Sequence, residues 1–129
     1  MNLDHAAGAD LLDRYGRAWE AFDGDAWTDL FTEHVEYHED PFEPPMVGHN
    51  AVRAYLLEAA NQQQQVEFTV ERHWVAGSTV LAAWHASYVR RSDQARVRLA
   101  GFLTTDVADD GRIARFREWW HRRESAATG

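Results

Sequence analysis

The sequence contains no cysteine and no lysine, so all 13 of its basic residues are arginine. Disulfides, thiolate nucleophiles, cysteine-bound metals and lysine Schiff bases are thereby excluded. Positive charge is scarce: 21 acidic against 13 basic side chains leave a formal net charge of −8. That balance argues against a nucleic-acid partner, whose phosphates reward a basic face. Long apolar runs are also missing. The longest, around Val80 to Trp84, is far shorter than the ~20 residues a spanning helix needs. The acidic N-terminal stretch lacks the basic and apolar regions of a signal peptide. The expectation is a cytoplasmic protein with no membrane partner. Chemistry is left to Asp, Glu, His, Tyr, Ser and Thr.

Material for a core is present. The chain has 129 residues, 45% of them apolar, with 6 Trp, 4 Tyr and 6 Phe; this fits one folded domain over 1–129 and not a disordered segment. Leu11, Tyr15, Ala18 and Phe22, joined by Leu12 and Trp19, recur at steps of three and four. That spacing predicts a helix over about 10–23, with Asp10 as N-cap and Gly24 closing it. Asp25 can cap a short second helix burying Trp27, Leu30 and Phe31. A third stripe, Val52, Tyr55, Leu56 and Ala59, follows Gly48 and the possible cap Asn50, and the Gln62–Gln65 run ends it.

Between the second and third helices, Val35 to Asp40 reads as extended and is stopped by Pro41, Pro44 and Pro45. After residue 65 the pattern turns to strands at Val66–Val75, Thr79–Arg90, Arg96–Val107 and Arg112–Arg122. Ala76-Gly77-Ser78, Ser92-Asp93-Gln94 and Asp109-Asp110-Gly111 supply the turns. Helices followed by an antiparallel meander spell α+β, with a twisted sheet curling around the first helix into an open cone. Adjacent Trp119 and Trp120 point to opposite faces, as do Trp84 and His85. One face can cover the helices while the other meets a second copy, so a homodimer on the outer sheet face is expected.

Asp23-Gly24-Asp25, Glu39-Asp40-Pro41-Phe42, Gly48 before a helix and Asp110-Gly111-Arg112-Ile113 before the last strand resemble the nuclear transport factor 2-like superfamily. Its members include ketosteroid isomerases, limonene epoxide hydrolase and SnoaL-like cyclases. The resemblance implies a curved sheet around N-terminal helices in a cone-shaped α+β barrel. In the isomerases a Glu-Asp-Pro run carries the catalytic base, which implies that role for Asp40. Counting along the same motifs puts the family's oxyanion tyrosine near Arg17 and its protonated acid near Leu103. The resemblance thus carries the base and not the oxyanion pair, which points to a relative with other chemistry or none.

Strand alternation groups His34, Glu36, His38 and Asp40 on one face, and Val35, Tyr37 and Glu39 on the other. With Asp40 turned into the cone, His38 would lie beside it, roughly 7 Å along the strand. Solvated edge charge is the competing reading, and a metal site on these residues a weak third. In the last strand Phe116, Glu118 and Trp120 share a face. The resemblance turns that face inward and makes Glu118 a second catalytic candidate; an ion pair with a nearby arginine is its structural alternative. Tyr15, Trp19, Phe31, Tyr55, Trp84, Phe116 and Trp120 are expected to line the cone, with His85 as a possible donor. The function expected is a pocket for an apolar, polycyclic or terpenoid-like molecule, with cofactor-independent isomerase, hydrolase or cyclase chemistry. The rival expectation is a non-catalytic ligand-binding or dimeric scaffold domain whose cone is plugged by tryptophans.

Overall fold

The computed structural model describes residues 2–127. Helices α1 (His5–Ala21) and α2 (Gly24–Asp29) precede strands β1 (Phe31–His38) and β2 (Met46–Val47); helix α3 (His49–Gln62) then leads into β3 (Gln63–Ala76), β4 (Thr79–Arg90), β5 (Arg96–Val107) and β6 (Ile113–Ser125). One curved sheet results, in the order β2-β1-β6-β5-β4-β3, and it does not close. The last four strands form the antiparallel meander expected from the turns, while β1 returns parallel to β6. The class is α+β, as the sequence pattern indicates.

Helix boundaries are set by backbone capping more than by the apolar stripe. The first helix starts at His5, where Asp4 caps it by accepting from the Ala7 amide at 2.7 Å. Asp10, the expected cap, lies inside the helix and pairs with Arg14. Phe22, at φ 49°, closes α1 in the left-handed conformation. Gly24 is thus freed to open α2, with Asp23 accepting from Ala26. Gly48 stands at the N-cap of α3 in place of Asn50. Phe31 opens β1 and does not belong to the second helix.

The core lies between the inner sheet face and the helices. Trp27 is buried and its Nε1–H donates to the Val52 carbonyl at 2.9 Å, tying α2 to α3. Gly16 lets α1 approach β3, because a Cβ there would stand 2.6 Å from the Phe68 ring. Phe116 is stacked between Tyr15 and Tyr37, with ring centroids 5.1 and 4.4 Å away. Burying such rings is worth about 2–3 kcal/mol each, so this column fixes the strand phase of β1 and β6. Val35 and Tyr37 point inward from β1, and Phe116 and Glu118 from β6. On the outer face Trp74, Phe102 and Trp119 remain exposed; Phe102 lies opposite Trp119 across β5 and β6.

Candidate active site

A cavity of about 530 Å³ opens between α1, α3 and the inner sheet face. Trp19, Trp84, Trp120 and Tyr55 form much of its wall, and Glu118 belongs to its lining. The tryptophans line the space and do not plug it. Gly101 makes the wall possible: a Cβ there would stand 2.6 Å from Trp84 Cζ2, so the indole lies flat across β5.

Glu118 is the buried carboxyl of the site. Its side chain is on β6 between the inward positions of Phe116 and Trp120, and the residue is 6% exposed. Tyr37 Oη and Tyr55 Oη both donate to its Oε1 at 3.5 Å, long contacts for hydroxyl donors. Tyr37 spends its only proton on Oε1, so Tyr15 donates to Tyr37 across 3.1 Å. Desolvation, and then the negative charge of Glu39, push the Glu118 carboxyl up from 4.5 to about 8, against the two tyrosine hydrogen bonds that favour ionisation. Burial likewise raises Tyr15, Tyr37 and Tyr55 well above the ordinary phenol range, so all three stay protonated.

The two oxygens of Glu118 are inequivalent. Oε1 holds both tyrosine donors, and among the described residues no protein atom pairs with Oε2. The unpartnered side-chain atoms sealed from solvent among these residues are His38 Nε2, Trp84 Nε1 and Arg115 Nε. Oε2 is not one of them, so it opens on the cavity. A neutral carboxyl with Oε1 saturated carries its proton on Oε2, aimed at whatever enters.

The phase of β1 places the neighbouring residues differently from the sequence expectation. Because Val35 and Tyr37 are buried, the alternation turns Glu39 toward the cavity, beside Tyr55 and within Coulombic reach of Glu118. Asp40 is exposed at the cavity mouth, where its Oδ1 accepts from the Phe42 amide at 2.9 Å in the turn leading to the prolines. His38 is on the opposite face, 3.4 Å from Glu36, and does not line the cavity. No pairing of His38 with an inward Asp40 forms. His34 and Glu36 are exposed on that same outward face.

Of the other expected wall residues, Phe31 and Phe116 are sealed in the core behind the cavity at 0% exposure. His85 is on the outer sheet face, where its Nε2 meets Glu71 at 3.2 Å. Tyr15, Trp19, Tyr55, Trp84, Trp120, Asp40 and Glu118 do line the cavity. Glu39 and Tyr37 were not singled out from the sequence. Their signal was the odd-numbered apolar parity of Val35 and Tyr37 itself, which marks the buried side of β1. Among the described residues no group of three or more His, Asp or Glu side chains is placed to hold a metal ion.

The family model for the SnoaL-like domain matches residues 12–116. Among solved structures the fold is similar to the epoxide hydrolase/cyclase-like enzyme SalBIII of pyran ring formation in salinomycin. That likeness has 20% identity and a TM-score of 0.81, covering 92% of this chain and 93% of the other. An epoxide hydrolase resembling limonene epoxide hydrolase, from Mycobacterium tuberculosis, is similar at 17% identity and TM-score 0.75, over 90% and 84% of the two chains. The Δ5-3-ketosteroid isomerase from Mycobacterium sp. is similar at 14% identity and TM-score 0.76, over 92% and 98%. Among curated proteins, none matches the sequence.

Proposed function

This chain belongs to the SnoaL-like domain family, and from that premise we propose that its cavity performs cofactor-independent acid–base chemistry on a small, largely apolar molecule. The observation that carries the reading is Glu118: a buried carboxyl raised to about 8, with one oxygen held by tyrosines and the other open to the cavity. Glu118 delivers its Oε2 proton to a substrate oxygen, either an epoxide oxygen as its C–O bond breaks or a carbonyl oxygen as it enolises. Glu39 takes the matching proton, from attacking water or from the carbon beside the carbonyl. In an isomerisation Glu39 returns its proton to the γ-carbon as Glu118 recovers its own from the enol oxygen, whereas epoxide opening leaves Glu118 ionised and Glu39 protonated. Tyr55, placed beside both, can hand the proton back. A positioned acid or base is worth ~10²–10⁴-fold.

The similar structures supply the reaction classes, since they include an isomerase and epoxide-opening or cyclising enzymes. A non-catalytic binding domain is the second reading, supported by the likeness in fold to a designed binder of 17-OHP, at 16% identity and TM-score 0.78. The outer face bearing Trp74, Phe102 and Trp119 fits a second copy of the chain, so the working unit is proposed to be a homodimer.

The test is turnover of a panel of aryl epoxides and β,γ-unsaturated ketones by the wild type and by Glu118→Gln, Glu39→Gln and Asp40→Asn. A loss of ~10²-fold or more is expected for the first two, and a smaller loss for Asp40→Asn. The reverse order for Glu39 and Asp40 returns the base role to Asp40. Unchanged turnover in Glu118→Gln refutes the acid. Binding without turnover by the wild type selects the second reading.

A further inference from the structure

The mouth of the cavity has a charge that its aromatic walls do not prepare for. Glu39, Asp40, Glu43 and Glu58 all belong to its lining, with Arg122 as the one basic residue. Arg122 is already committed, its Nε lying 3.6 Å from Glu124. None of the four carboxylates forms an ion pair among the described residues: Asp40 accepts a backbone amide and Glu39 adjoins Tyr55, while Glu43 and Glu58 meet no cation. Glu58 projects from α3 on the face shared with Tyr55, Ala59 and Gln62, which is the face turned to the cavity. Glu43 comes from the proline turn opposite.

The acidic ring is tied to a ligand by a separate feature at depth. Glu118 is more than nine-tenths buried, and its Oε2 opens into the same cavity without a protein partner. A hydrogen-bond donor held at depth and uncompensated negative charge at the opening describe the two ends of one guest. Resting on the acid–base reading above, we propose that the molecule taken by this cavity is a flat, oxygen-bearing compound carrying a cationic amine, with its oxygen at Glu118 and its ammonium at the mouth.

The physics favours this guest over the alternatives. An anionic substrate, such as a carboxylate or a phosphate-bearing carrier, would meet three exposed carboxylates at the opening and Glu39 further in, on a chain of net charge −8. A neutral guest gains the walls alone. An ammonium gains the walls, the carboxylates and the faces of Trp120 and Tyr55, since indole and phenol rings attract cations. Asp40, Glu43 and Glu58 are exposed, so each attraction is small and screened. Their effect is a sum of converging charges and must fall with added salt.

Three probes with one ring system isolate the charge: naphthylmethylamine, naphthylmethanol and naphthoate, titrated into the full-length protein and followed by tryptophan fluorescence. At low salt the amine is expected to bind about tenfold or more tighter than the alcohol, and the naphthoate most weakly. The advantage of the amine should shrink severalfold at high salt and in the double variant Glu43→Gln, Glu58→Gln, whose sites are exposed and outside the core. Equal affinity of amine and alcohol, or tightest binding by naphthoate, overturns the charge proposal and leaves the acid–base reading intact. An amine advantage that survives both salt and the double variant also overturns it. Failure of all three probes to bind overturns the charge proposal as well, while the acid–base reading is decided separately by the turnover panel.

Discussion

Leu103 and Glu118 stand directly opposite each other across β5 and β6. Counted along the sequence motifs, Leu103 is where the resemblance to the isomerases places a protonated acid. The leucine is fully buried there, and its cross-strand neighbour supplies the carboxyl from the adjacent strand. Directly opposed residues have Cβ atoms about 4.5–5.5 Å apart, so an acid moved by one strand can still address the same space. The tyrosine behaves similarly. Arg17 points to solvent, where it pairs with Glu20, while Tyr15 is buried and joins the hydrogen-bond chain to Glu118.

Stability should depend on pH through Glu118. In the unfolded chain its carboxyl titrates near 4.5, and in the folded protein near 8. Below the lower value both states hold the proton. Between the two, unfolding releases a proton, so stability declines as pH rises and levels off above about 8. The full loss is on the order of 5 kcal/mol for a shift from 4.5 to about 8. Denaturant titrations on both sides of this window should show the decline in the wild type and a much flatter profile in Glu118→Gln.

If Glu118 acts as an acid, activity must fall as it ionises, with an alkaline limb near 8. Tyr55→Phe removes one of the two donors that favour the ionised form. The limb should therefore move to higher pH, with little loss of folded protein. A limb that stays in place after this change would separate the pH profile from Glu118.

Gly101→Ala should reshape the cavity wall. The added methyl would stand 2.6 Å from both Trp84 Cζ2 and the Trp119 carbonyl oxygen. The indole must swing away or the strand must shift, at about 1–3 kcal/mol. Thermal unfolding and Trp84-sensitive fluorescence should both change; a fully wild-type profile in both would contradict the close approach.

Replacing Trp27 by Phe keeps most of the packing but removes the donor to the Val52 carbonyl. That oxygen keeps its helical partner within α3, so the loss is one net hydrogen bond, about 0.5–1.5 kcal/mol, read as a lowered denaturation midpoint. For the outer face, Phe102→Asp should dissociate the proposed dimer, since it places a charge between Trp74 and Trp119. Analytical ultracentrifugation of wild type and variant decides it.

The sequence by itself determined the three helices, the strands other than the short β2, the α+β class and the bounds of β4 and β5, which match the expected Thr79–Arg90 and Arg96–Val107. Hydrophobic period and turn residues are local, and local signals survive being read one window at a time. It also placed Glu118 among the candidates, through the family resemblance that turned the Phe116, Glu118 and Trp120 face inward; parity alone would mislead on β6, where a register shift buries both Ile113 and Phe116. Tertiary structure decided which face of β1 looks inward. The alternation was legible, but its sign depended on Tyr37 stacking against Phe116 at a separation of 4.4 Å between ring centroids. That contact sends Glu39 in and leaves Asp40 at the mouth. The same long-range packing desolvates Glu118 and pushes its carboxyl up to about 8, which is the property the proposed acid role requires.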